Sequence, residues 1–289
     1  MCKNENFSEL KDLTAKVLCD LGLLDLKMMP VSGIPSGFMD LDSYTEGFQK
    51  SDFIVIASRP SLGKTSLVLN IARYVANKER IPVLFFSLEM SSVQIATQLL
   101  SIETEIKDCR LKSRKLNKLE LRRIAMAIEV LKNTPIIIED TSCCSIEEII
   151  NKSKKAYNDY GIGIIIIDYL QLVTCLHSES KRSESLQYEL SQISKALSKL
   201  AKELDIPIIC LSQLPRDVEN REGKTPKLTD LGEVGEIADT VLLLPPCYGF
   251  TAEVIIAKQK NGNLGSVNLE VINKVFPIFD FECKHDEKG

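Results

Sequence analysis

Phe53-Ile54-Val55-Ile56-Ala57-Ser58-Arg59-Pro60-Ser61-Leu62-Gly63-Lys64-Thr65 is the stretch on which the fold turns. Its first five residues are mostly β-branched or aromatic, which favours a strand. A loop stiffened by Pro60 follows, and from about Ser66 to Asn77 the apolar spacing becomes helical. A strand running through such a loop into a helix is the setting in which Gly63-Lys64-Thr65 carries chemistry. Backbone N–H groups of the loop and of the helix N-terminus cradle anionic oxygens, Lys64 supplies a mobile positive charge, and the Thr65 hydroxyl can reach Mg²⁺. Ser61, Leu62, Gly63 and Ser66 complete the cradle. Ser58 stands where the general pattern has its first glycine, so the match departs from the pattern there.

Working outward, short apolar runs alternate with helical stretches: Val83 to Ser87, Ile136 to Glu139, Ile164 to Ile167, Ile208 to Leu211 and Val241 to Leu244. The runs are continuously apolar rather than alternating, as expected of parallel strands covered on both faces. The class predicted is α/β, a mostly parallel central sheet flanked by helices. Near the end, Glu253 to Ala257 and Ser266 to Ile272 flank Lys258 to Gly265, where Asn261-Gly262 favours a tight reversal, so a C-terminal β-hairpin is expected.

Three polar residues fall at the ends of predicted strands. Asp168 closes Ile164-Ile165-Ile166-Ile167 and is placed to support the magnesium shell at the carboxyl edge of a sheet; the alternative is a carboxylate that caps the following turn. Glu89 follows Val83 to Leu88 and is placed either to orient and deprotonate an attacking water or to favour the dipole of a helix beginning at Ser91 or Ser92. Gln213 follows Ile208 to Leu211, where an uncharged amide could sense a γ-phosphate; alone, that signal is weak.

The 289 residues are 44% hydrophobic and 26% charged, an ordinary globular balance with room for a sizeable core. No apolar stretch approaches the length of a membrane span, and the start lacks a secretory pattern, so a cytoplasmic protein with no membrane role is expected. Nine cysteines without metal-type spacing read as reduced thiols, and the two histidines, His177 and His285, do not complete a metal site. A net charge of −4 excludes a surface that coats nucleic acid throughout, so any DNA contact must be local. Phe7 to Leu26 reads as an amphipathic helix that packs either on its own domain or on a neighbour. A Pro- and Gly-rich linker, Met28 to Gly37, follows, dividing the chain into residues 1–30 and a main domain of residues 31–289.

Six motifs together give the chain a resemblance. They are Gly33-Ile34-Pro35-Ser36-Gly37-Phe38, Ser58 to Thr65, Phe86-Ser87-Leu88-Glu89-Met90-Ser91, Ile167-Asp168-Tyr169-Leu170-Gln171-Leu172, Leu211-Ser212-Gln213-Leu214 and Ala257-Lys258-Gln259-Lys260-Asn261-Gly262. With them the chain resembles the C-terminal motor domain of the bacterial replicative DNA helicases, the DnaB family, within the RecA-like P-loop NTPases, from Gly33 to Ile272. The resemblance implies that Lys64 and Thr65 bind ATP and Mg²⁺, that Asp168 supports the metal, that Glu89 is the catalytic glutamate and that Gln213 couples nucleotide state to DNA-binding loops. It also implies a homo-hexameric ring on single-stranded DNA, moving 5′ to 3′, with a helicase loader or primase as a partner. The hairpin of one subunit, here carrying Lys258 and Lys260, would reach the γ-phosphate held by the next.

The chain departs from that family in three places. Lys260 stands where the family has an arginine finger, and an ammonium does not reproduce the planar fork of a guanidinium. Asp230-Leu231-Gly232-Glu233-Val234-Gly235 lacks the arginine of the family's DNA-facing loop. DNA is then expected near Gly232, Glu233 and Gly235, and Arg216, Arg221, Lys224 and Lys227 make the preceding segment either a local DNA contact or a solvated face. Finally, only the helix Phe7 to Leu26, which resembles the family's linker helix, precedes the motor, where family members carry a primase-binding domain. A nucleotide-dependent replication accessory or DNA-binding ATPase with weak unwinding is the alternative expectation; a recombinase or regulatory ATPase matches the motifs less closely.

Overall fold

A computed structural model describes residues 31–113, 115–141, 144–174, 183–246, 251–260 and 262–270. The helix expected over Phe7 to Leu26 lies outside these residues. The apolar runs become strands close to their predicted bounds: β1 (Phe53–Ser58), β2 (Val83–Ser87), β3 (Ile136–Glu139), β4 (Ile164–Asp168), β5 (Ile208–Gln213), β6 (Thr240–Leu244), β7 (Thr251–Lys258) and β8 (Gly265–Glu270). They form one eight-stranded sheet in the order β3-β2-β4-β5-β1-β6-β7-β8. Every pairing from β3 to β6 is parallel, whereas β6 with β7 and β7 with β8 are antiparallel. The hairpin of β7 and β8 is therefore an extension of the main sheet. Its reversal is wider than the tight turn expected at Asn261-Gly262, since Gly265 pairs with Ile256.

Eight described helices surround the sheet: α1 (Met39–Thr45), α2 (Lys64–Asn77), α3 (Ser92–Thr104), α4 (Asp108–Ser113), α5 (Lys118–Lys132), α6 (Ile146–Tyr160), α7 (Ser183–Leu204) and α8 (Glu233–Ile237). Helices α3, α5 and α6 each begin with a capping box, Ser91 with Gln94, Asn117 with Glu120 and Ser145 with Glu148, which satisfies first-turn N–H groups that the helix itself leaves unpaired. Alternate side chains of β1 enter opposite cores. Ile54 and Ile56 meet Leu67, Ile71 and Val75 of α2 in one cluster. Phe53, Val55 and Ala57 join Ile149 of α6 and Ile193, Leu197 and Leu200 of α7 in the other. Burial on both faces explains why the strands read as unbroken apolar runs, and each fully buried Ile or Leu contributes about 1.5–3 kcal/mol. The site loops thus leave a strand held on both sides.

Helix α5 is the exception to this economy. Leu119, Leu121, Met126, Ile128 and Val130 are all exposed, and Ala127 is its only buried residue. No described helix is long and apolar enough to cross a membrane.

Candidate active site

The carboxyl ends of β1, β2, β4 and β5 lie side by side, with Ser58 in register with Gln213 and Ser87 with Asp168. Open α/β sheets bind ligands at this edge, where loops leave the strands. The loop after β1 takes left-handed backbone at Ser61 (φ 63°) and Gly63 (φ 91°), which folds it tightly into α2. Gly63 precedes α2 with no side-chain cap, and no acidic residue occupies the first turn. A helix N-terminus that follows a tight loop and carries no acidic residue in its first turn is an arrangement that can receive an anion.

Lys64 is buried and its Nζ folds back over the loop, donating to Ser58 O (3.3 Å), Ser58 Oγ (3.2 Å) and Arg59 O (3.4 Å). Burial lowers its pKa, the charges of Asp168 and Glu89 oppose that shift, and Arg59 adds to it. Thr65 Oγ1 donates to Asp168 Oδ2 at 2.8 Å. Asp168, 2% exposed, is pushed up to about 6, chiefly by burial and further by Glu89, while the Thr65 hydrogen bond and Lys64 pull it down. The carboxylate therefore engages Thr65 across the site instead of capping its own turn. A buried ammonium and a buried carboxylate, each shifted chiefly by loss of solvent, form a donor set suited to phosphate with a hard divalent cation between.

Glu89 is exposed beyond the end of β2 and lies close enough to act electrostatically on Lys64, Asp168 and Tyr169. The helix that follows is capped by Ser91, and Ser92 N donates to Asp140 Oδ2 at 2.7 Å, so the dipole of α3 is served by other groups. Gln213 reaches the same edge, half-buried, and its side chain bonds to Tyr169. The geometry thus brings Lys64, Thr65, Asp168, Glu89 and Gln213 together.

Lys258 and Lys260 are placed elsewhere. Lys258 pairs with Val241 at the amino end of β6, whereas Leu244 at its carboxyl end pairs with Ser58. The hairpin lysines thus sit at the opposite edge from the phosphate loop, about 10 Å farther along the strands. Lys258 Nζ donates to Gly235 O (3.1 Å) and Glu236 O (2.5 Å), and Lys260 Nζ lies 3.6 Å from Asp239 Oδ1.

The expected DNA-facing residues form a third locality. Gly232 has φ 54° and ψ −137°, a backbone that side chains strain to adopt, and a Cβ there would stand 3.2 Å from Gln187 Oε1. An arginine at this position would require a different loop path. The Glu233 carboxylate accepts from Ser191 Oγ and lies 3.8 Å from Lys195 Nζ, which ties the start of α8 to α7. Gly235 packs closely, since a Cβ would come within 3.1 Å of Leu228 O. Of the basic segment, Arg221 forks onto Asp230 at 2.7 and 2.5 Å, while Arg216 is exposed at the start of a 3₁₀ turn. Gln171 is the residue whose part the sequence left unassigned; its side chain contacts Ser212 and Gln213. A lone polar residue in Tyr169-Leu170-Gln171-Leu172 was the available signal. A cavity of about 520 Å³ bounded by Arg73, Asn77, Lys78, Glu103 and Glu129 lies at the far end of α2, away from this edge.

Residues 33–279 match the model of the DnaB-like helicase C terminal domain. The chain belongs to that family. It is 41% identical over 297 residues to a probable replicative DNA helicase of Trieres chinensis, covering 98% of this chain and 64% of that protein. Against the replicative DNA helicase DnaB of Geobacillus stearothermophilus it is 38% identical over 292 residues, covering 97% and 64%. The chain therefore spans a little under two thirds of these curated relatives. A solved ATPase domain superposes with a TM-score of 0.78 at 31% identity, over 95% of this chain and 100% of that one. A DnaB-like replicative helicase solved with its interactions with primase gives 0.78 at 31%, covering 96% and 68%. As a DnaB-like C-terminal domain the chain has the RecA-like α/β fold of a nucleotide-binding ATPase domain.

Proposed function

We propose that this chain is the ATP-hydrolysing motor of a replicative DNA helicase, a ring-forming protein that moves on single-stranded DNA and separates strands. The observation that carries the reading is the hydrogen bond of Thr65 to the buried Asp168, beside Lys64 and under the uncapped start of α2. Lys64 and the loop N–H groups from Ser61 to Ser66 hold the phosphates of ATP. Thr65 and Asp168 offer the hard oxygen ligands that Mg²⁺ prefers, and when bound the ion offsets the charge of the phosphates. Glu89 accepts a proton from the attacking water as its oxygen bonds to the γ-phosphorus and the bond to the β-phosphate bridging oxygen breaks, leaving ADP and phosphate. Gln213 senses the γ-phosphate from the end of β5.

The placement of Lys258 and Lys260 at the other edge supports action in trans: they serve the nucleotide of a neighbour in a homo-hexamer. The exposed apolar residues of α5 offer a surface for an amphipathic helix such as Phe7 to Leu26 from an adjoining subunit. Residues 1–30 are thus read as a linker and 31–289 as the motor domain. Single-stranded DNA passes near Arg216, Gly232, Glu233 and Gly235, where backbone N–H groups and Arg216 take the phosphates while the Glu233 side chain anchors the loop. A primase or loader is a partner by analogy with the helicase solved with its interactions with primase, and the setting is the cytoplasm. Lys260 and the glycine-only backbone at Gly232 favour a second reading, a replication ATPase that unwinds weakly.

The test is single-stranded-DNA-stimulated ATP hydrolysis together with unwinding of a forked duplex by assembled rings. DNA-dependent hydrolysis with unwinding supports the motor. Assembled rings that hydrolyse ATP and never unwind would sink it in favour of the weaker reading.

A further inference from the structure

The ladder between β4 and β5 stops early. Its pairs are Ile165 with Ile208, Ile166 with Ile209 and Ile167 with Cys210, after which the chain leaves β4 at Asp168 and bends into the 3₁₀ turn Leu170–Leu172. Strand β5 continues for three more residues. On its other side it stays paired, Ala57 with Ser212 and Ser58 with Gln213. On the β4 side, the backbone of Gln213 has no strand partner, and a buried peptide group left unpaired is costly.

The Gln171 side chain occupies that place. Its Oε1 accepts from Gln213 N (3.1 Å), and its Nε2 donates to Gln213 O (3.1 Å) and to Ser212 Oγ (3.0 Å). A carboxamide carries the same donor and acceptor pair as a peptide group. It therefore continues the ladder beyond the end of β4. The next residue is fixed from the β1 side, with Leu214 N donating to Ser58 O at 3.0 Å, the carbonyl that Lys64 also contacts.

We infer that Gln171 is a positioning residue for the hydrolysis reaction: its amide stands in for a missing strand, and it holds Gln213 at fixed distance from Asp168 and the phosphate loop. The inference rests on the proposed ATPase function and assigns Gln171 no contact with nucleotide. The clamp requires an amide in particular. A carboxylate at this position would accept from Gln213 N but would lose both donated bonds and face the Gln213 carbonyl with negative charge. An apolar side chain of similar length would lose all three.

Two measurements on the full chain test this. Hydrogen exchange at the Gln213 backbone amide reads the clamp without reference to activity, and Gln171→Met should speed it at least about tenfold; unchanged protection overturns the clamp whatever the enzyme does. Steady-state ATP hydrolysis with single-stranded DNA, across ATP concentrations, reads the consequence. Gln171→Met and Gln171→Glu should each lower kcat about tenfold, the scale on which small misplacements act, with KM changed less than about twofold. Gln171→Met in a Gln213→Ala background should lower kcat no further, because the two act as one unit. Independent, multiplying losses overturn the positioning role, as does a normal kcat with faster exchange. A parent chain lacking hydrolysis would refute the ATPase reading, and the exchange result would still decide the clamp.

Discussion

Replacing Lys260 by arginine should make the hydrolysis reaction faster, and the structure sets what that gain must overcome. Lys260 Nζ stands 3.6 Å from Asp239 Oδ1, with the lysine side chain 60% exposed. Opposite unit charges at that separation attract by about 1 kcal/mol in a water-like dielectric, and exposed pairs contribute roughly 0.2–1 kcal/mol once side-chain entropy and salt are included. Leaving Asp239, whose side chain is only 14% exposed, to reach a neighbour's phosphate therefore costs on the order of a fivefold factor. An arginine finger contributes about 10³ or more to rate in other phosphoryl-transfer enzymes, through a planar fork that an ammonium lacks. Lys260→Arg should raise the DNA-stimulated kcat about tenfold, and Asp239→Asn should change it less than about fivefold. Lys260→Ala should lower it about a hundredfold. The location in trans makes a sharper demand. Lys64→Ala subunits and Lys260→Ala subunits, each at most about a hundredth as active as the parent alone, should regain hydrolysis when mixed, because some interfaces then join an intact phosphate loop to an intact Lys260. The assay is phosphate release from assembled rings saturated with single-stranded DNA. Lys260→Ala rings as fast as the parent, or mixtures as inactive as their components, would refute the reasoning.

Glu89→Gln should keep the site's shape and remove its proton acceptor, lowering kcat at least about a hundredfold, while titration with a fluorescent ATP analogue gives a Kd within about threefold of the parent. Asp52 is pushed up to about 6 by burial and then by the charge of Asp239, with Lys260 and Lys202 opposing. Its folded pKa exceeds the unfolded value of 3.8, so its contribution to stability is present below about pH 4 and lost as pH rises through 6. Asp52→Asn should flatten that decline and raise stability at pH 7 by about 1 kcal/mol, read from urea midpoints at pH 4.5 and 7; Asp42, also near 6, leaves a residual slope in the variant. Ser145→Ala removes the acceptor of Glu148 N in the capping box of α6 and should cost about 1 kcal/mol by urea unfolding, with no change in Kd for nucleotide.

The strands were legible because their energetics are local to the sequence. Ile164-Ile165-Ile166-Ile167 has no solvated face in the fold, and none is written into it. The same holds for Asp168 and Glu89, whose positions at strand ends put them on one edge of any parallel sheet built from those runs. What a strand list does not contain is lateral order. That β1 lies between β5 and β6, and that β7 runs antiparallel beside β6, is a property of the assembled sheet that no single run carries. This order decides that Lys258 and Lys260 are remote from the phosphate loop of their own chain. Their shared motif with an asparagine-glycine pair speaks of a hairpin and says nothing about which edge it decorates.

Gln171 was illegible for a different reason. Hydrophobic periodicity registers side chains that alternate between core and solvent, and strand propensity registers backbones that pair with backbones. A side chain that substitutes for a backbone belongs to neither pattern. Its partner, Gln213, is 42 residues away, and the need for the bond arises only because β5 outruns β4 at the ligand edge. That mismatch has a physical source in the site itself. Asp168, whose carboxylate accepts from Thr65, is the last residue of β4, and the chain then bends into the 3₁₀ turn Leu170–Leu172 and leaves the end of β5 without a strand partner on that side. The amide of Gln171 repairs the loss and ties the carboxylate turn to the sensing strand, so that a shift at one is felt at the other. Cutting the tie with Gln171→Met should therefore separate nucleotide binding, which rests on Lys64 and Thr65, from the response of Gln213.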